Sequence, residues 1–376
     1  MVDRTVDVVV IGGGIAGVSA ACELAETGMS VLLVEQEQQL AHHTTGRSAA
    51  IFLESYGPPA VQALTKSSRA NYDDAPSRFD TPLLLHPRGA LWVAPPDQLD
   101  DLEAMLATTP TLERIDVDEV LRLSPVVRPE VVAAAGVERD AAEIDVLGLH
   151  QGYVRGLGSA GGTIERWWAV SEIDRAATGF VVRSSSGREV ACGAVVNASG
   201  AWGDVVGALA GAEPIGLEPK RRTIAICPTK VALDPTGPLV GDVDHGYYWK
   251  AEGPNVLCSP ADEHPSDPCD ARPEELDVAL AIERVNETTI LDLRSVQASW
   301  AGLRTFAADR VPVCGEDADV PGFWWLVGQG GYGIQTAPAM ARSLAGLLRH
   351  GVLPDDVLGA GVAPGDLSPR RFRGPH

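Results

Sequence analysis

Lysine is scarce in this chain, occurring only at positions 66, 220, 230 and 250. Basic residues of both kinds number 30 against 51 acidic ones, for a formal net charge of -21. Phosphate backbones and anionic lipid surfaces are bound by clustered positive charge, so this balance argues against nucleic acid or a membrane surface as partner. Long apolar runs are missing too. No stretch reaches the roughly 18 residues of a membrane-spanning helix, so no integral membrane segment is expected. Cysteine is sparse: the six residues at 22, 192, 227, 258, 269 and 314 include no C-x-x-C pair. That spacing excludes a structural zinc site or a disulfide framework as the organising device, and no metal is expected. The N-terminus "MVDRTVDVVVI" enters a strand at once, without the charged-then-apolar pattern of a signal peptide, so a cytoplasmic location is expected.

What is abundant is glycine, with 40 in 376 residues. The most informative stretch is "VDVVVIGGGIAGVSAACELAETGMSVLLVEQ". Val6 to Ile11 is largely β-branched, as expected of a strand buried on both faces of a parallel sheet. Gly12, Gly14 and Gly17 follow as G-x-G-x-x-G. Ile15 to Thr27 reads as a helix stopped by Gly28, and Ser30 to Val34 as a second strand ending at Glu35. Each part has a task in holding a dinucleotide. Gly12 allows the tight turn, Gly14 the approach of a pyrophosphate, and Gly17 close helix–strand packing. The helix N-terminus turns a positive dipole end toward phosphate. Glu35 can accept from ribose hydroxyls, which disfavours a 2′-phosphate. The fingerprint alone does not separate FAD from NAD.

The remainder of the chain favours flavin. Steady β–α alternation is absent after residue 80. Instead "PLLLHPRGALWVA", "KRRTIAIC" and "GYYWKAEGPNVLCSP" read as strands, the last as a hairpin. "GFVVRSSSGREVACGAVVNASGAWGD" reads as a hairpin and a buried strand, Ala194 to Asn197, ending in a small-residue turn at Ala198 to Gly200. "GFWWLVGQGGYGIQTAPAMARSLAGLLRHG" repeats the strand–glycine turn–helix pattern. Its strand is Phe323 to Val327, and its helix runs from about Ile334 to Arg349, ended by Gly351. The dipole of that helix would stabilise negative charge on a reduced flavin.

Taken with "HHTTGRSAA", "PKRR", "WAGLRTF", "GQGGYGIQT" and "LSPRR", these segments resemble the D-amino-acid oxidase superfamily of FAD enzymes. Within it the likeness is greatest to bacterial D-arginine dehydrogenases. The resemblance runs over essentially the whole chain. It implies an α/β (α+β) architecture, with a Rossmann-like FAD domain and a mixed-sheet substrate domain, each discontinuous. Residues 1–80, 145–215 and 299–376 would form the first, and 81–144 and 216–298 the second. A helix over 146–157, N-capped by Asp145, would mark one return to the FAD domain.

The same resemblance implies non-covalent FAD held by Gly12, Gly14, Ile15, Ala16, Gly17, Glu35 and Gln36. The flavin would lie on Thr44, Thr45, Gly46, Arg47, Ser48, Ala49 and Ala50. Val170 would meet the adenine and Gly200 would border the cofactor. Gly330, Gly331, Tyr332, Gly333, Ile334 and Gln335 would form the turn at the pyrimidine edge. Arg304 would pair with the substrate carboxylate, for which a planar fork is suited. Tyr56 and Tyr248 would flank it. Arg221 would be a second pocket arginine, with Arg222 the alternative one position on. Ile51, Ala90, Gly331 and Gln335 would line the substrate pocket.

Two positions depart from the D-arginine dehydrogenase pattern. Ala90 stands where a glutamate grips the guanidinium, and Ile51 where a histidine meets the ligand; Glu54 is a nearby candidate replacement. The implied activity is therefore oxidative deamination of D-amino acids with neutral or apolar side chains, the electrons passing on to oxygen or a quinone-type acceptor. A glycine-, sarcosine- or proline-type amine oxidase is the alternative within the superfamily. A flavin-binding subunit without turnover is the alternative outside it.

Overall fold

The structure, a computed structural model, describes residues 4–373. Its first sheet is built on the fingerprint. Strand Thr5–Ile11 lies between Glu189–Asn197 and Val31–Val34, all parallel, and Val31–Val34 pairs in turn with Thr163–Glu165. Phe323–Val327 extends the parallel set on the far side of Glu189–Asn197. An antiparallel meander, Val170–Arg175 and Phe180–Ser184, also joins Glu189–Asn197. Val313–Glu316 closes the sheet against Phe323–Val327.

Alternation along the first strand sorts its side chains to two cores. Val8 and Val10 face the helices Ile15–Glu26, Val146–Ser159 and Gly333–His350. Val9 and Ile11 face the meander and helix Gly203–Leu209. Both faces are covered, which is why the strand reads as an apolar run rather than an alternating one. Asp145 caps its helix through an Oδ1 that accepts from the Gly148 N–H at 2.8 Å, and Gly351 ends the last long helix at φ 72°.

The second sheet is mixed and nine-stranded. Its long strands Glu218–Pro228 and Ala298–Phe306 pair antiparallel over nine residues. From Glu218–Pro228 the order runs through Asn255–Ser259, Tyr248–Glu252, Leu239–Asp242 and Ala90–Ala94 to Ala134–Glu138. Helix Glu275–Thr288 buries Ala281 and Val285 against one face. Residues 298–306 thus hydrogen-bond into the second sheet, whereas the resemblance implies that 299 onward belongs to the first domain. The pairing with Glu218–Pro228 is the reason: Arg304 needs a strand of the second sheet to carry it. A three-stranded sheet of Ile51–Phe52, Ala142–Ile144 and Leu85–Pro87 lies beside these. Among the described residues no helix is long and apolar enough to cross a membrane.

Candidate active site

The first cavity opens along the fingerprint. It is about 240 Å³ and extends from Glu35, Trp168 and Val170, past Gly12 to Ile15, to Arg304 and the Gly330–Gly333 turn. The glycines are fixed by sterics. A Cβ on Gly12, whose φ is 116°, would come within 2.4 Å of the Ala198 carbonyl oxygen. One on Gly17 would stand 1.8 Å from the Gly12 oxygen, so Gly17 serves helix–strand packing and lies behind the cavity wall. The helix N-terminus has no side-chain N-cap, but Thr45 Oγ1 accepts from the Ile15 N–H at 3.0 Å. One of the free donors at the helix end is therefore taken by the second cofactor stretch, which ties the two together. Glu35 accepts from the Gly13 and Glu37 N–H groups at 2.6 and 2.9 Å, and these bonds hold its carboxylate at the strand end.

The stretch Thr44–Arg47 forms a short 3₁₀ turn that is anchored outward. Thr44 Oγ1 donates to the Leu303 carbonyl, and the Arg47 guanidinium donates to the carbonyls of Ala271 and Ala301 and pairs with Asp270. Arg47 thus borders the first cavity while its charge is engaged elsewhere. Gly46 borders neither cavity, because it packs on Ala41, whose oxygen would lie 2.4 Å from a Cβ. Apart from Gly17, the other cofactor residues expected from the sequence border the first cavity, except Ala49, Ala50, Tyr332 and Gln335, which border the second.

The second cavity is about 810 Å³ and shares Ser48, Arg222, Arg304, Gly331 and Ile334 with the first. Arg304 Nη1 donates to Tyr56 Oη at 3.1 Å. Arg304 keeps part of its surface accessible because it opens onto both cavities; burial opposes its charge, but the neighbouring Tyr56, Tyr248 and Glu263 outweigh this and hold its pKa above the ordinary value. Among the described residues no carboxylate lies within 4.0 Å of it. The Tyr56 phenol is affected in turn. Burial raises its pKa, but the neighbouring Arg304 and Arg222 outweigh this and hold it below its ordinary value. Tyr248 also borders the cavity, and its Oη has no partner among the described residues.

Two expected pocket residues lie elsewhere. Arg221 pairs with Glu274 and with Asp277, the latter at 3.0 Å, on the helix-covered side of its strand. Strand alternation sends its neighbour Arg222 into the cavity, where Nη2 meets Glu263 at 3.2 Å and burial lowers its pKa. Ala90 is fully buried and its methyl stops short of the cavity; Trp92, two residues on and on the same face, reaches it. Gln335 borders the cavity, but its amide is occupied: it accepts from Leu53 N–H at 3.3 Å and donates to the Leu53 carbonyl and Thr65 Oγ1. Glu54 does not border the cavity, so it does not replace the missing acid there.

Sequence reasoning missed what holds Tyr56 in place. Glu138 is 2% exposed, and its oxygens accept from the Glu54 and Ser55 N–H groups at 2.7 and 3.3 Å. Gln62 Nε2 donates to the carbonyls of Ser55 and Gly57. Tyr56 therefore sits on a loop held by the side chains of Gln335, Glu138 and Gln62. A glutamate ending an otherwise apolar strand, "AAGVE", was the available signal for Glu138.

This arrangement fits FAD. The cradle between Gly12 and Ala198 has no room for a side chain, a helix end faces the cavity, and the cleft continues into a second chamber next to the Gly330–Gly333 turn. The comparisons agree. The family model for DAO, FAD dependent oxidoreductase, matches residues 7–347. The chain belongs to that family, an FAD-dependent class of oxidoreductase with FAD as its cofactor. It is 27% identical to the mouse (Mus musculus) "FAD-dependent oxidoreductase domain-containing protein 1", over 92% of this chain and 81% of that protein. Its fold is similar to that of L-proline dehydrogenase from P. horikoshii (TM-score 0.84, 19% identity, 99% and 98% of the two chains). It is also similar to that of glycine oxidase from Geobacillus kaustophilus (TM-score 0.81, 20% identity, 96% and 99%).

Proposed function

We propose that the protein oxidises α-amino acids at the carbon–nitrogen bond, with D-amino acids of neutral or apolar side chain as its substrates. The observation that carries this reading is Arg304, an enclosed guanidinium without a carboxylate partner at the junction of the two cavities. Burying such a charge is unfavourable unless a ligand completes it. A substrate carboxylate does so with two parallel N–H···O bonds. Tyr56, already on Arg304, and Tyr248, with its free hydroxyl, donate to the same carboxylate and cover it from water. Bound FAD supplies the acceptor for the α-hydrogen and its electron pair. The substrate leaves as an imino acid, which water hydrolyses to a 2-oxo acid and ammonia. The chain's own contribution is to hold the α-carbon in position, and orientation of this kind supplies a large part of the rate advantage.

The side-chain preference follows from charge. The two acids bordering the second cavity are Glu263 and Asp244. Glu263 is engaged by Arg222 and Arg310, and Asp244 accepts from Gln98. Glu263 is thereby neutralised and Asp244 is exposed, so among the described residues a cationic side chain meets no buried, unpaired acid in this cavity. The D configuration rests on the motif resemblance. The relatives named for glycine and L-proline favour a second reading, in which the amine is that of glycine or is secondary. Anaerobic addition of D- and L-leucine, D-arginine, sarcosine and proline separates these readings through bleaching of the flavin absorbance. The first requires D-leucine to reduce fastest; faster reduction by sarcosine or proline establishes the second. No reduction by any of them removes both.

A further inference from the structure

His245 holds a backbone conformation that side chains rarely adopt, with φ at 55°. The turn that carries it is heavily restrained. Its N–H donates to the Asp242 carbonyl at 3.1 Å, and the Asp242 carboxylate accepts from the Gly246 and Tyr247 N–H groups at 2.6 and 3.3 Å. Arg284 donates to the carbonyl of Gly246 and, at 3.0 Å, to that of Pro260. Strain of this kind persists where the surroundings over-determine it, and it collects at functional positions.

The strained residue is exposed and borders the second cavity. Its imidazole stands edge-on to Trp92, with centroids 4.9 Å apart, and is tilted against Tyr56 at 6.2 Å. Tyr56 in turn contacts Arg304. Carboxylate clamp, tyrosine, histidine and tryptophan thus form a continuous wall, in an order that matches a substrate's carboxylate followed by its side chain. The imidazole makes no hydrogen bond to a described residue, and the Trp92 Nε1 is a buried donor without a partner. Leu239, Met105 and Asp244 also border this cavity.

We propose that His245, edge-on to Trp92, is the specificity-determining residue of the site and selects substrates whose side chains are uncharged. This rests on the assignment of the substrate carboxylate to Arg304. The ring presents an aromatic surface and a hydrogen-bonding edge to the cavity, and the acid next to it, Asp244, is exposed and accepts from Gln98 at 2.6 Å.

The test uses carboxylates that cannot be oxidised, so that it reads binding rather than turnover. Hexanoate and a guanidino-substituted pentanoate are titrated into the holoenzyme, and Kd is taken from the change in flavin absorption. The wild type is expected to prefer hexanoate. In His245→Asp the ratio of the two Kd values is expected to move toward the cationic ligand by about tenfold or more. His245→Gly, which relieves the strain, is expected to keep or raise Tm while weakening hexanoate binding. A His245→Asp ratio within about twofold of wild type overturns the proposal, as does a wild type that prefers the cation. Failure of every amino acid to reduce the flavin, with the ratio shift intact, would instead remove the proposed activity and leave His245 as the wall of a carboxylate site.

Discussion

Replacing Arg304 by methionine separates a ligand-binding arginine from a structural one. Methionine fills much of the same volume and removes the charge. Arg304 touches Tyr56 and no described carboxylate, so its removal leaves no buried partner charge behind. Removing an unpaired, desolvated charge relieves its burial cost, and this offsets the lost hydrogen bond to Tyr56, worth about 1 kcal/mol. Arg304→Met should therefore unfold at the same or a higher temperature than wild type. Carboxylate binding should collapse. Losing one partner of a desolvated charge pair costs about 2 to 5 kcal/mol, which is a rise in Kd of about 30-fold to several thousand-fold. Thermal unfolding followed by circular dichroism gives the first quantity, and flavin absorbance titration with hexanoate gives the second. A variant that loses stability and still binds hexanoate as wild type does would refute the reasoning and return Arg304 to a packing role.

Arg221 and Arg222 should behave oppositely. Arg221→Ala strands the 4%-exposed Asp277 and should lower Tm with carboxylate affinity unchanged, whereas Arg222→Ala should weaken hexanoate binding; equal effects on binding would undo the strand-alternation argument. Gly17→Ala should purify with little FAD and lowered stability, since its methyl meets the Gly12 oxygen; full flavin content by absorbance would contradict the cradle. Below its depressed pKa, the Tyr56 phenol donates to a bound carboxylate. Above it the phenolate repels the ligand and cancels part of the Arg304 charge. Hexanoate affinity should therefore fall as pH rises through a point below 10.0, and Tyr56→Phe should lack that alkaline limb; an identical limb in the variant assigns the titration elsewhere. Glu138→Ala leaves two loop N–H groups without acceptors, at about 1 to 3 kcal/mol each. It should reduce both Tm and hexanoate affinity, and unchanged affinity would show that Tyr56 does not depend on this anchor.

The parts of the fold that were legible in the sequence are those set by local chemistry. The run of β-branched residues before Gly12, the glycine spacing after it and the acid at 35 specify strand, turn, helix and strand without reference to the rest of the chain. The helix begun at Asp145 and the one ended by Gly351 were legible for the same reason, a cap residue at each boundary. Pairing between distant strands was less so. The motif "WAGLRTF" marks Arg304 in sequence, but only the register of Ala298–Phe306 with Glu218–Pro228 shows that it lies on a strand of the second sheet. The same register decides between Arg221 and Arg222, since one residue's slip exchanges the two faces of a strand. Ala90 and Trp92 share a face, and side-chain length alone determines which reaches the cavity. His245 carries no sequence signal, since its significance lies in a strained φ, and Glu138 carries only that of an acid ending an apolar strand, since its hydrogen bonds go to a loop some eighty residues away in sequence.

Anaerobic mixing of the holoenzyme with D-leucine and with isopentylamine, the same molecule without its carboxylate, tests the account most directly. An Arg304 clamp predicts that D-leucine bleaches the flavin and that isopentylamine leaves it oxidised. Bleaching by the amine at a comparable rate, or an oxidised flavin in the presence of every α-amino acid tried, would contradict it.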